Sequence, residues 1–405
     1  MVAKKKSNNE RTESILIVAG EHSGDLLGGD LMSELKLIEP NFRFFGIGGD
    51  SMISQGLSSF EELEKLSVIG FSEAIQKYSF LKKLFYQLLE EVKQQKPKVA
   101  ILIDYPGFNL RLAKELKNLG IPSIFYVSPQ IWAWKFNRIF FIKEHIALML
   151  TLFKFEEKIY LEYGVNARFV GHPITKRISE KIKKEPALPI GLPNKNSGYV
   201  IGLLPGSRRG EIQRLLPEIL GTAVLLHEEI KSRGKKVAFL LPNINQKEES
   251  YILSEIEIVK TKVPDIEIHY IWNGSLRVMD GSDLLLIASG TATLEGLYFE
   301  VPMVILYKVS LFTYFLGSLL MRSQFIGLAN ILAGQEVCKE ITQNECKPKY
   351  IFPEALRVLT NSKLNAKVRN ILRETKDREL GTTNGAKKAA REIQNFLKNL
   401  NGLAN

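Results

Sequence analysis

Runs of apolar residues alternate with stretches of helical spacing along most of the chain. The apolar run at 15–19 leads into Gly20-Glu21-His22-Ser23-Gly24-Asp25 and then into apolar positions of helical period over 26–37, predicting a strand, a turn and a helix. The order recurs. Residues 99–103 read as a buried strand ending at Asp104, 111–119 as a helix closed by Gly120, and 123–127 as the next strand. Between 181 and 198 the pattern stops, and Pro186, Pro189, Gly191 and Pro193 stand among lysines and asparagines, the composition of an interdomain linker. A second series follows, with strands at 199–204, 237–241, 266–271, 284–288 and 303–307 and helical segments such as 213–226 between them.

Strands alternating with helices at this spacing imply an α/β fold with mainly parallel sheets covered on both faces. Residues 353–405 are helical by composition, with Leu356, Val368, Ile371, Leu372, Ile393, Phe396 and Leu397 forming an apolar stripe. The expected organisation is a Rossmann-like domain over 1–190, a second over 191–350, and C-terminal helices over 351–405 packing back on them. The two domains are expected to face a cleft, and in open α/β sheets ligands bind beyond the carboxyl ends of the strands.

Length and composition support this reading. A chain of 405 residues suits two domains of ordinary size, and 45% apolar with 24% charged residues is the balance of a folded globular protein. The net charge of +11 changes the picture more, because it favours a polyanionic partner: nucleic acid, acidic phospholipid or a phosphorylated substrate. No recognition-helix pattern, aromatic RNA-binding signature or zinc-finger spacing accompanies it, so nucleic acid is not expected. Cys338 and Cys346 stand apart from any histidine, as two reduced thiols would. The lysines at 4–6 precede no apolar stretch, and the apolar runs at 139–153 and 311–321 are shorter than the roughly 20 residues of a spanning helix. The expected location is cytoplasmic.

Leu204-Pro205-Gly206-Ser207-Arg208-Arg209-Gly210-Glu211 lies between a strand and a helix, where a phosphate site would form. Gly206 admits backbone amides to an anion, the helix offers its positive end, and Arg208 can donate twice to phosphate oxygens. The alternative is a tight turn with solvated arginines. Ala288-Ser289-Gly290-Thr291-Ala292-Thr293-Leu294-Glu295 repeats the arrangement, and two such turns could clamp one diphosphate. Glu295 could accept from a ribose diol, or simply complement the helix dipole. In the first domain Asp104 could serve as general base on an acceptor hydroxyl, or cap a helix starting near Asn109. The tryptophans at 132 and 134 compete between a functional reading and packing after a strand, with packing the more common, and His172, in a Gly-His-Pro turn, reads as a residue that shapes a loop, with a binding role near the cleft as the alternative.

Gly20-Glu21-His22-Ser23-Gly24-Asp25, the segment 126–134 with Ser128-Pro129-Gln130-Ile131-Trp132, Gly171-His172-Pro173, Leu204-Pro205-Gly206-Ser207-Arg208 and Ser289-Gly290-Thr291 together resemble the lipid-A-disaccharide synthases, in order from about 15 to about 348. The resemblance implies an inverting, metal-independent glycosyltransferase of the two-Rossmann (GT-B) type without a cofactor. It implies a UDP-2,3-diacylglucosamine donor, the monophosphate lipid X as acceptor, and UDP and a β-1,6-linked disaccharide 1-phosphate as products. Asp104 then matches the base and Arg208 the residue that stabilises charge on departing UDP. Gly206, Ser207, Ser289, Gly290, Thr291, Glu295 and Asn330 match donor-binding positions, and Glu21, His22, Ser23 and Gly24 an acceptor or cleft loop. His22, Gly107 and Ala329 depart from the family pattern, in which a small residue, an aspartate and a proline are common at these places.

Diacylated substrates imply contact with the inner-membrane surface. Val68, Ile69, Phe71, Phe80, Leu84 and Phe85 lie among lysines as in an interfacial helix, and the net charge favours anionic lipid; a core helix with a basic face is the alternative. A homodimer is compatible with the sequence. Two rival readings remain: a UDP-N-acetylglucosamine epimerase or transferase of the same architecture, and a catalytically silent nucleotide-binding protein.

Overall fold

The computed structural model describes residues 13–61, 74–194, 196–309, 324–381 and 384–402, with the backbone alone at 74–78. The chain divides into two compact units, Met1–Pro173 with Thr382–Asn405, and Ile174–Gly381.

The first unit follows the alternation of the sequence. Its elements are β1 (Ser14–Ala19), α1 (His22–Ile38), β2 (Arg43–Ile47), α2 (Asp50–Ser54), β3 (Leu57–Ser59), α3 (Ala74–Gln95), β4 (Val99–Ile103), α4 (Pro106–Asn118), β5 (Ser123–Tyr126), α5 (Arg138–His145), β6 (Leu148–Thr151), α6 (Lys154–Glu162) and β7 (Ala167–Phe169). The seven strands are all parallel, in the order β3-β2-β1-β4-β5-β6-β7. β1 and β4 are continuous apolar runs because both faces of the sheet are covered. Leu16, Val18, Ala100 and Leu102 join Leu88, Leu112 and Leu116 on one side. Ile15, Ile17, Ile101 and Ile103 join Leu31 and Leu35 of α1 on the other.

The second unit opens with α7 (Ile174–Lys181), followed by β8 (Gly198–Leu204), α8 (Arg209–Ser232), β9 (Lys236–Asn243), α9 (Glu249–Lys262), β10 (Glu267–Trp272), α10 (Ser275–Asp280), β11 (Leu284–Ala288), α11 (Ala292–Tyr298), β12 (Met303–Tyr307), α12 (Leu328–Ala333), β13 (Lys339–Thr342), α13 (Pro348–Thr360) and α14 (Ser362–Glu379). Its six parallel strands run β10-β9-β8-β11-β12-β13. The stretch expected as a linker is packed into this unit. Leu188 and Leu192 lie against Val200, Leu240, Ile271 and Val278, and the buried carboxylate of Glu185 accepts from the Arg277 N–H at 2.9 Å. Proline and glycine there mark irregular backbone, which tertiary contacts nonetheless hold.

The C-terminal helices divide between the units. Ile351, Ala355, Val358 and Leu359 of α13 enter the core of the second unit. The last helix, α15 (Gly385–Gly402), returns to the first, where Ala389, Ala390, Ile393 and Leu397 are buried in the core that α1 lines. Among the described residues no helix is long and apolar enough to cross a membrane.

Candidate functional site

In both sheets the strand order reverses direction beside the first strand of the unit, between β1 and β4 and between β8 and β11. Such switch points open a crevice at the carboxyl ends of the strands. In the first unit Ala19 is in register with Ile103, so Gly20 and Asp104 leave neighbouring strands side by side.

The turn carrying Asp104 is strained. Asp104 and Tyr105 both have φ of 48°, left-handed backbone that costs a non-glycine residue about 1–2 kcal/mol. Asn109, fully buried, holds it by donating to the carbonyls of Ile103 at 3.2 Å and Asp104 at 2.8 Å. The Asp104 N–H donates to the Tyr126 carbonyl at 2.9 Å, and the Phe108 and Asn109 amides donate to that of Tyr105. A Cβ on Gly20 would meet the Tyr105 ring at 2.3 Å, so only glycine lets that ring lie where it does. The helix after this turn begins at Pro106, with Tyr105 in the cap position and no side chain capping it. Asp104 is therefore not the cap of a helix starting near Asn109.

Asp104 is half-buried, and burial pushes its carboxyl pKa above the ordinary 3.8. The negative charge of Glu21 raises it further, against the backbone hydrogen bond from Tyr105. A carboxylate so placed is a stronger base than a solvated one. In the neighbouring turn Glu21, His22 and Ser23 are exposed, while Gly24 is buried against Ala19 and Ile103. Asp25 is 2% exposed and accepts the amides of Gly49, Ser51 and Met52 at 2.8–3.0 Å, which ties the α1 turn to α2.

The tryptophan segment is built into the same unit. The Trp132 indole donates to Glu156 at 3.1 Å, a carboxyl that burial lifts to a pKa of about 7. Trp134 is exposed beneath the cations of Lys135 and Arg138. His172 stacks on Phe153 with ring centres 4.9 Å apart.

In the second unit Leu204 is in register with Ile287, so the turns of Gly206 and Ser289 also leave adjacent strands. They enclose a chamber of about 400 Å³ lined by Gly206, Ser207, Arg208, Ser289, Gly290, Thr291 and Glu295, with Lys181 at its side. Gly206 has φ of 108°, open to glycine alone. Arg208 projects with its side chain 85% exposed, with Glu211 at 3.4 Å its close partner among the described residues. Ser289 Oγ donates to the Ile326 carbonyl at 3.3 Å, and Thr293 Oγ1 donates to that of Gly290 and accepts from the Leu328 amide. Glu295 is half-buried rather than solvated; burial raises its pKa, the Lys181 cation opposes this, and Glu185 adds to it. Lined by serines, the Arg208 guanidinium and Lys181, with the carboxylates of Glu211 and Glu295, the chamber suits a nucleoside diphosphate.

A family model described as Lipid-A-disaccharide synthetase matches residues 15–394. Lipid-A-disaccharide synthase of Myxococcus xanthus is 37% identical, over 95% of this chain and 97% of its own. That of Syntrophus aciditrophicus is 35% identical, over 93% and 96%. The chain belongs to the lipid-A-disaccharide synthase family. Its fold is shared by S. aureus MnaA, solved with UDP, at TM-score 0.56 and 12% identity over 95% of this chain and 97% of that one. It is also shared by the calicheamicin glycosyltransferase CalG4, at 0.55 and 12% over 96% and 99%. The architecture is thus that of the two-Rossmann glycosyltransferases.

Two expected site residues of this synthase family member lie elsewhere. Asn330 is fully buried and its amide is fully engaged: it donates to Cys338 O at 2.7 Å and Glu340 at 2.9 Å, and accepts from the amides of Val337 and Cys338. It leaves no side-chain group for a donor and instead anchors the turn before β13. Leu84, expected on a membrane-facing patch, is 2% exposed and belongs to the core, because the inward stripe of α3 runs through it. Phe80 and Phe85 are half-buried against that core, while Val68, Ile69 and Phe71 lie outside the described residues. Three residues support the site without carrying a role in its motifs. Asn109 and Lys181 carry no motif of their own; Glu211, whose carboxylate accepts the Ser207 and Arg208 amides at 3.3 Å, stands at capping-box spacing after Arg208.

Proposed function

We propose that this member of the lipid-A-disaccharide synthase family, a glycosyltransferase, joins UDP-2,3-diacylglucosamine to lipid X. The products are UDP and the β-1,6-linked disaccharide 1-phosphate. Asp104 takes the proton of the acceptor 6-hydroxyl, the oxygen attacks the anomeric carbon from the face opposite UDP, and the electron pair of the breaking bond leaves with the diphosphate. Configuration at that carbon inverts. Arg208, with Lys181 beside the chamber, meets the charge growing on UDP, an interaction that strengthens in the transition state. Glu295 takes the ribose hydroxyls, and no metal is needed because lysine and arginine neutralise the leaving group. Contact with the cytoplasmic face of the inner membrane delivers both diacylated substrates.

The observation that carries this reading is the gathering of Gly206, Ser207, Arg208, Ser289, Gly290, Thr291 and Glu295 around one chamber at a sheet switch point. The test is incubation of purified protein with UDP-2,3-diacylglucosamine and lipid X in the presence of chelator, read by mass spectrometry. A tetraacyl disaccharide phosphate is expected. Its absence from folded protein that binds UDP, across several acyl lengths, would overturn the reading.

A further inference from the structure

A second chamber, of about 570 Å³, opens in the first unit between α3 and α4. Its volume lies within the roughly 300–1,000 Å³ of small-molecule sites. Its floor is aromatic. Phe108 packs edge-on against Phe85 with ring centres 5.5 Å apart and lies 6.0 Å from Tyr105, and Leu81 and Phe141 complete the apolar wall. Tyr86 stands 57% exposed at the edge. The rim is basic: Lys82 from α3 and Arg111 and Lys114 from α4, with Glu115 the one carboxylate. These residues fall on single helix faces, 81, 82, 85 and 86 on α3 and 107, 108, 111, 114 and 115 on α4, so the helical period itself builds the arrangement.

An apolar floor under a ring of cations fits an amphiphile with an anionic head. The wall includes Tyr105, the neighbour of Asp104 in the strained turn. We infer that this chamber holds an acyl chain of the phosphorylated lipid acceptor, with the acceptor phosphate on Arg111 and Lys114. The inference rests on the glycosyl-transfer reading for the identity of the occupant. The chamber itself is tested without it.

Gly107 supplies the probe. It lines the chamber on the first turn of α4, and a Cβ built on it meets nothing within 4 Å, so a larger side chain takes up open space at the chamber wall and not in the core. Gly107→Leu is expected to fold normally, since leucine favours a helix more than glycine does. Binding of octyl, decyl and dodecyl phosphate, each below its micelle concentration, is measured by calorimetry on the full chain. Affinity should rise about fourfold per methylene, fall at least tenfold in Gly107→Leu, and fall about tenfold in the Arg111→Ala/Lys114→Ala double variant. Binding of dodecyl glucoside should fall in Gly107→Leu and stay unchanged in the double variant.

In the transferase assay Gly107→Leu should raise KM for a long-chain acceptor at least tenfold and leave UDP affinity as it was. Alkyl phosphate binding that ignores chain length, or that survives Gly107→Leu intact, would overturn the assignment. Disaccharide formation in that case would leave the catalytic reading standing. Chain-length-dependent binding lost in Gly107→Leu, with no transfer to any acceptor, would support the chamber while the catalytic reading falls.

Discussion

The turns at the two sheet switch points solve different problems. The one after β4 holds a carboxylate: two successive non-glycine residues sit in left-handed backbone, a buried asparagine bonds both carbonyls, and an aromatic ring closes over Gly20. The one after β8 places its single left-handed residue at Gly206, where no strain arises, and leaves Arg208 projecting into solvent. The first turn is held by Asn109 from within. The second leaves the Arg208 side chain exposed while its Ser207 and Arg208 amides donate to Glu211. Preorganisation matters most for proton transfer, where a small misplacement is expensive, whereas diphosphate recognition tolerates a cation that moves.

Removing the groups themselves should break this comparison most sharply. Asp104→Asn keeps the shape and loses the base, so kcat should drop about 10²- to 10⁴-fold with UDP affinity unchanged, as steady-state rates and calorimetry would report. An unchanged kcat would put the base elsewhere. Arg208→Ala should reduce kcat/KM about 10²- to 10³-fold without moving the melting temperature, because the side chain is already solvated.

The support of the first turn gives a smaller effect of a different kind. Asn109→Ala strands two carbonyls and should cost about 1–3 kcal/mol of stability. It should also lower kcat tenfold or more with KM for donor unaltered. A stability loss with full kcat would mean the left-handed turn persists without its asparagine.

The smallest effect is on pH. With the Asp104 pKa raised in the fold above 3.8, the native state holds its proton more tightly than the unfolded chain does, so ionisation costs stability as pH rises through the folded pKa. Asp104→Asn should therefore melt above the parent at pH 7, and the difference should close as pH falls below 3.8. The rate of the parent should fall over the same acid limb, above the range of a solvated aspartate. A parent and variant melting together at every pH would show that Asp104 carries no burial penalty.

The order of strands and helices was legible because period and length report it: β11 and β12 fall where the apolar runs at 284–288 and 303–307 predict them. Ends were less legible. The strand after α4 stops at Tyr126 because Val127 takes φ of 73°, which its side chain does not advertise. The stretch at 181–198 reads as linker by composition, yet Leu188, Leu192 and Glu185 are bound to the second unit by contacts distant in sequence.

The placement of the turns directly after strands was legible, since strand, glycine and hydroxyl stand together in the chain. Asn330 misled for the opposite reason. An asparagine in a helix start carries no sign of whether its amide meets a ligand or, as here, the carbonyl of Cys338 and the carboxylate of Glu340. By itself the sequence determined the two strand–helix series and the identities of the groups at their switch points, because periodicity and local backbone preference act over a few residues. Only the tertiary structure decided which of those groups are free, for freedom depends on partners brought in from afar: the Ile326 carbonyl on the Ser289 hydroxyl, the Leu328 amide on Thr293, and α3 against α4 around a chamber that no single segment encodes.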